Sequence, residues 1–508
     1  MSDLAPLPSS LGKDGAATPA RYRERTLSAL KWNASGELAA QVIRFAFGIA
    51  LARLLSPREF GLMAMLLVLV QFVLGSADLG FEEALIQKQD IAEVHRSSVF
   101  WIVIGSGLVL TACQIALAPW IAKLYGVEEL SSLAICLSAV FVLRVSGTVP
   151  RAIIARKLDF HIAAPRWCAA GALAGTCAVT LAWMGFGVIS LVAEILVSTA
   201  LESLLLWRAS NWRPRFELRV AALRELIGFS AYRPATRALN YWAQRIDQLL
   251  VGKFVGSSAL GLYARAFNVT RFPVMSVARV IMDVMFPSLA WIQEDAARVR
   301  SIYLRTTGVV ALASVPIGMG LFVAAEPFVV AVLGPQWKGA IPILRILSIA
   351  GLFESLTVFS TSLYLARGRA DLVLRLTVVQ RLLMIGAIVF ALRWGVLGVA
   401  TAQLACAAIN VLSMMYFAGR LVELPIGTIL AHLSRVFVAG LLMTALVAGL
   451  GLWATPTLEP LQVLGLEVIA GIVVYWAALH LLQVGAYRDL ANVLARPARS
   501  TEEPNPRG

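Results

Sequence analysis

Apolar runs long enough to approach the width of a bilayer recur along the whole chain, and no other feature limits its fold so tightly. Leu62 to Leu74, Trp101 to Leu117 and Leu376 to Leu392 are the plainest of them. A helix needs roughly 20 residues to cross ~30 Å of hydrocarbon. Single glycines, prolines or charges inside such a run do not rule out a span, because a helix satisfies its own backbone. Of the 508 residues, 59% are hydrophobic and 15% charged, and the mean hydropathy is +0.77; a soluble domain is about half apolar and about a quarter charged. The expected class is therefore an all-α integral membrane protein of about fourteen transmembrane helices. The spans are placed at 36–54, 60–80, 97–118, 130–150, 165–183, 186–207, 226–252, 267–290, 303–325, 342–366, 371–393, 395–418, 429–453 and 462–483.

The net charge of +14 would suggest a nucleic-acid partner in a soluble chain, but here the placement of the charges decides, and no nucleic acid is expected. Assigning alternate loops to opposite sides tests the helix count, since a wrong count would scramble the basic residues. On the side of the N-terminus fall Arg21, Arg23, Arg25 and Lys31, then Arg151, Arg156, Lys157 and Arg166, then Arg208, Arg213, Arg215, Arg219 and Arg224. Arg298, Arg300 and Arg305, then Arg367, Arg369 and Arg375, and finally Arg488, Arg496 and Arg499 fall there too. The other side keeps isolated charges such as Arg58, Lys123, Lys253 and Lys338. Both termini are thus expected in the cytoplasm, with 1–30 a disordered tail lacking a signal-peptide core and 486–508 a second tail. Cys113, Cys136, Cys168, Cys177 and Cys406 all lie in apolar stretches without a C-x-x-C pair, which argues against metal or disulfide chemistry. Neither a metal nor a cofactor is expected.

An internal repeat divides the spans. Ala52 to Ala64 (ARLLSPREFGLMA) lies 200 positions before Gly252 to Ala264 (GKFVGSSALGLYA), matching Arg53 with Lys253, Gly61 with Gly261, Leu62 with Leu262 and Ala64 with Ala264. A weaker echo pairs Leu137-Ser138 with Leu347-Ser348 and Ala155-Arg156 with Ala366-Arg367. The reading is two pseudo-symmetric six-helix lobes, 31–210 and 220–420, around a central cavity, followed by two extra helices in 425–485.

Charges within the spans need a reason, since one at the bilayer centre costs on the order of 2.5–3.5 kcal/mol. Residues at i, i+3, i+4 and i+7 share a helix face. In the seventh span Arg233, Arg237, Tyr241, Gln244 and Gln248 form one polar stripe. Glu37, Gln41 and Arg44 do so in the first, Gln71, Asp78 and Glu82 in the second, and Asn268, Arg279 and Asp283 in the eighth. Such faces are expected to line a water-filled cavity. For Arg44, Arg144, Arg345 and Arg381 a structural ion pair or a snorkelling side chain is an equal alternative, as is a pair between Arg279 and Asp283. Arg233 and Arg237 have no acid within four residues and point to a polyanionic ligand, because the guanidinium fork binds phosphate bidentately and keeps its charge. Arg44, Arg279 and Arg345 are the auxiliary cations, and Tyr241, Gln244 and Gln248 the hydrogen-bonding groups. Asp78, Asp247 and Asp283 are read as ion-coupling groups or, with more weight, as ion-pair partners.

The chain resembles the Wzx-type polysaccharide flippases, in the exopolysaccharide branch of the multidrug/oligosaccharidyl-lipid/polysaccharide exporter superfamily. The likeness rests on ARLLSPREFGLMAM (Ala52 to Met65), ALIQKQD (Ala84 to Asp90), DQLLVGKFVGSSALGLYARAFNV (Asp247 to Val269), FPSLA (Phe286 to Ala290), GPQWKGAIPILRIL (Gly334 to Leu347) and LARGRADL (Leu365 to Leu372). It implies two six-helix bundles around a cationic cavity, a bacterial inner-membrane location, and an undecaprenyl-pyrophosphate-linked oligosaccharide as substrate, flipped for exopolysaccharide or lipopolysaccharide synthesis by alternating access. Membrane lipids and a polysaccharide polymerase machinery are the other partners considered. Three alternatives share some of these features. A drug/cation antiporter would want a net acidic cavity; a peptidoglycan-precursor flippase would be cationic too; a membrane glycan polymerase, unlike this chain, would usually carry a large outer loop. The expected protein is not an enzyme.

Overall fold

Ser56-Pro57-Arg58-Glu59 shows how local sequence sets these helices. Ser56 is extended (φ −82°, ψ 160°), its Oγ accepts from Glu59 N, and Glu59 Oε2 accepts from Ser56 N at 2.7 Å. Pro57 occupies the first helical position, where a missing N–H costs nothing. The computed structural model describes residues 19–75, 77–157, 160–230, 233–271, 273, 296–485 and 487. Among them the regular elements are helical: α1 Pro19–Leu54, α2 Pro57–Leu74, α3 Phe81–Gln87, α4 Glu93–Tyr125, α5 Glu129–Leu137, α6 Val140–Ser146, α7 Thr148–Lys157, α8 Phe160–Trp183, α9 Val188–Ser210, α10 Val220–Ser230 and α11 Arg233–Phe254. Residues 257–271 form α12. There follow α13 Ala296–Val323, α14 Ala325–Phe328, α15 Ile341–Ala366, α16 Ala370–Ala391, α17 Gly395–Leu421, α18 Ile426–Ala454 and α19 Pro460–Leu481.

Among the described residues, nine helical segments are long and apolar enough to cross a membrane, and one of these, Ala370–Leu421, contains both α16 and α17. The chain is a multi-pass, all-α membrane protein. α1, α8 and α11 lie at expected spans outside that set; α11 carries Arg233, Arg237, Arg245, Asp247 and Lys253. Most of the expected eighth span lies outside the described residues. The first helix starts at Pro19, inside the expected tail 1–30; Ala, Arg, Glu and Leu there are good helix formers.

Two units are compact in themselves, Met1–Gly261 and Leu262–Gly508. In the first, α1 packs on α8 and α8 on α9. The expected fourth span is broken into α5, α6 and α7, and distant side chains satisfy the carbonyls near the breaks. Thr111 donates to Ser138 O at 3.1 Å, Ser203 to Leu143 O at 2.7 Å and Trp207 Nε1 to Ser146 O at 2.9 Å. α11, expected to open the second lobe, packs on α2 within this unit.

The second unit is built on a core shared by α13, α15, α17, α18 and α19, which includes Val315, Phe359, Met415, Val436 and Tyr475. Tyr475 donates to Leu312 O at 3.0 Å and Tyr364 to Met414 O at 2.5 Å. The terminal pair α18–α19 is therefore integral to this unit.

Candidate functional site

The polar stripe of α11 is the natural place to begin. Arg233 opens the helix and Arg237 lies one turn on, but their side chains fall outside the described residues. Tyr241 donates its hydroxyl to Val68 O at 2.7 Å, and Phe72 packs against the rings of Tyr241 and Trp242 at 5.9 and 5.0 Å. This clamp holds α11 on α2, so Tyr241 already serves a structural role. Gln244 is exposed, whereas Asp247 is wholly buried and Gln248 only 4% exposed. Gln248 Nε2 makes no hydrogen bond among the described residues. A buried amide without a partner costs about 1–3 kcal/mol and marks a place for water or a ligand.

The other expected groups separate. Gln41 is half-buried and Arg44 exposed on α1. Arg279 and Asp283 lie outside the described residues. The supposed stripe Gln71–Asp78–Glu82 is not one helix face, because α2 ends at Leu74 and the chain turns through Leu79 (φ 55°) and Gly80 (φ 76°) before α3. Asp78 instead accepts from Gly80 N at 3.4 Å in that turn. Left-handed backbone of this kind ends a helix, and glycine tolerates it best.

Arg144 proves to be an ion-pair residue. It lies 3.4 Å from Glu202, and Arg151 bridges the same Glu202 at 3.3 Å and Glu82 at 3.1 Å. Arg151, read from sequence as a loop cation, is only 15% exposed at its side chain. The signal that would have found it is its seven-residue spacing from Arg144, which puts both on one helical face despite the break at Gly147. One turn further on, Arg156 donates to the carbonyls of Leu85, Ile86, Lys88 and Gln89 and so caps the end of α3.

Arg345 lies in the second unit, 3.6 Å from Glu326. Both line a cavity of about 910 Å³, together with Lys338 and Glu467, between α14–α15 and the terminal pair.

The repeat read in the sequence meets itself within the first unit. A Cβ on Gly61 would fall on Ser257 O, and a Cβ on Gly261 would fall on Pro57 O. Pro57 and Ser257, like Gly61 and Gly261, are 200 positions apart, so the two contacts are reciprocal. α2 and the first turn of α12 cross backbone to backbone here, which only glycine permits.

A family model described as "Polysaccharide biosynthesis protein" matches residues 50–342. The chain belongs to that family. It is 28% identical over 402 residues to the lipopolysaccharide biosynthesis protein WzxC of Escherichia coli K12, covering 78% of this chain and 81% of that one. It is also 28% identical over 321 residues to the succinoglycan biosynthesis transport protein ExoT of Rhizobium meliloti, covering 63% and 65%. Among solved structures, lipid II flippase MurJ in an inward closed conformation superposes with a TM-score of 0.70 at 16% identity, covering 90% of this chain and 99% of that one. This polysaccharide-biosynthesis chain thus has the fold of a membrane flippase.

Proposed function

We propose that the protein flips a polyprenyl-pyrophosphate-linked oligosaccharide repeat unit from the cytoplasmic to the outer leaflet of a bacterial inner membrane, for exopolysaccharide or lipopolysaccharide synthesis. The observation that carries this reading is the conjunction of a polysaccharide-biosynthesis family match with a flippase fold over 90% of the chain. Fourteen crossings with both termini in the cytoplasm fit the basic loops. Transport is by alternating access, with Arg233 and Arg237 holding the pyrophosphate, assisted by Arg44 and Arg279, while Gln244 and Gln248 meet the sugars. No covalent step is required. Arg345, a further candidate cation, is engaged with Glu326. Asp78, Asp247 and Asp283 stay on as ion-pair or coupling groups. On the outer side, the crossing at Gly61 and Gly261 serves as a point of closure.

Deleting the gene tests this directly. The lipid-linked repeat unit should accumulate on the cytoplasmic leaflet; accumulation on the outer leaflet would point instead to a polymerase, and accumulation of the peptidoglycan precursor to the other flippase class. In a stably inserted protein, Arg233→Gln with Arg237→Gln should abolish flipping, and unimpaired flipping would remove those residues from the site.

A further inference from the structure

Glu467 lies seven residues into α19, about 10 Å along the helix from its N-terminal end. Its side chain is almost wholly buried, with 5% of the residue exposed. Oε2 has no hydrogen-bond partner among the described residues. Gly451 on α18 makes the recess: a Cβ there would collide with Glu467 Oε1. The carboxyl nevertheless lines the 910 Å³ cavity, which also holds Glu326, Lys338 and Arg345. Val323, Ala454 and Pro460 end or begin the helices around it, and Trp453, 71% exposed, stands at the same level, where aromatic side chains mark the membrane interface.

A carboxylate with a bare oxygen in such a recess is costly as an anion, and a carboxyl inside a membrane helix calls for a cation or a proton. The recess is too closely walled by Gly451 for a large cation, but cavity water reaches it. We propose that Glu467 is a proton-binding site loaded through this cavity, and that it supplies the coupling ion for transport. The proton passes from cavity water to Oε2, and water leaves as hydroxide or draws on bulk hydronium. Glu326, Lys338 and Arg345 are the charged groups facing the cavity; the parts of α13 and α18 that line it carry none. With Glu467 neutral, Arg345 stays with Glu326. Once Glu467 ionises, Arg345 is drawn toward it, so the proton controls how α15 and α19 engage. That role rests on the flipping reading and on the outer-side placement of the cavity.

The first test needs no transport. Infrared difference titration of the purified full chain should show a protonated carboxyl signal on acidification that is missing in Glu467→Gln. Glu326→Gln removes a negative charge and frees Arg345, so it should move that signal to lower pH. An identical titration in Glu467→Gln, or a signal displaced by sodium at constant pH, overturns the proton site; equal thermal melting of wild type and the isosteric variant excludes misfolding. In oriented proteoliposomes carrying a lipid-linked oligosaccharide, an imposed pH difference should drive flipping by the wild type and not by Glu467→Gln. Equal pH-driven flipping by both overturns the coupling role. An intact infrared result in a chain that flips nothing leaves the proton site standing and removes the transport reading.

Discussion

At the residue scale, the arginines inside the membrane fall into different roles, and their partners assign them. Arg151 holds two acids, Glu82 and Glu202, whose side chains are 23% and 27% exposed. Among the described residues Arg144 pairs with Glu202, and its side chain is 43% exposed. Removing Arg151 takes the ion-pair partner from Glu82 and leaves Glu202 with Arg144 alone; breaking a largely buried pair costs a few kcal/mol, while a half-exposed pair is worth far less. Arg151→Met should therefore lower the detergent-solubilised melting temperature much more than Arg144→Met. Equal effects would mean that Arg151 is not the keystone of the network. The charges themselves were legible in the sequence, as was the chance that Arg144 and Arg345 are paired. The partners were not, because Glu202 and Glu326 come from other helices, 58 and 19 residues away from those arginines. Spacing within one helix says which groups share a face and nothing about what meets that face.

At the scale of elements, hydropathy located the helices well, since an apolar run must be helical in lipid. It could not foresee the breaks among α5, α6 and α7, which depend on Thr111, Ser203 and Trp207 from distant segments. Nor did it separate the short α10 from the seventh span. α10 is tied down by Glu225, which binds Lys88 and lies 3.3 Å from His95. Hydrogen bonds from Lys88 and then His95 hold the Glu225 carboxyl below its usual range. A lowered carboxyl means that the tie is complete above the unfolded glutamate value of about 4.3 and is lost as pH falls through the lower folded one. Hydrogen exchange across 220–230 should stay protected from neutral pH down to about 5 and loosen only below about 4.3. Glu225→Gln should loosen it at every pH, and loosening that begins near neutrality would show that the Glu225 carboxylate is not what ties α10 down. The crossing of α2 with α12 is a second element-level device. A methyl on Gly61 must push Ser257 away, an overpacking that costs about 1–3 kcal/mol. Gly61→Ala should slow flipping and raise the labelling of a cysteine placed at Ser257 by an impermeant thiol reagent added from outside. Wild-type flipping with unchanged labelling would show that this contact plays no part in closure.

At the scale of the whole molecule, the 200-residue offset led to the expectation of two lobes dividing near 210–220, whereas the two compact units divide after Gly261. α11 packs with the first unit because Tyr241, Trp242 and Phe72 interlock, and the terminal pair joins the second because its buried face is matched to α13. Lipid tails are as apolar as the side chains they would replace, so the pair is held by close packing and hydrogen bonds rather than by exclusion of water. Gly440 lets α18 close on Val315 and Met319, and Tyr475 of α19 reaches Leu312 O on α13. Both anchors end on one helix, α13, and α13 also carries Tyr303 against Ser360 of α15 at 3.0 Å. Loss of the pair should therefore spread inward. Tyr475→Phe removes one hydrogen bond and should cost about 0.5–1.5 kcal/mol. Gly440→Leu, which forces α18 off α13, should cost more and should also weaken hydrogen-exchange protection in α15, which Tyr303 ties to α13. Protection lost in α18 and α19 alone would mean that the pair is an attachment to a self-sufficient core, and the coupling assigned to Glu467 would then have no route to the rest of the unit.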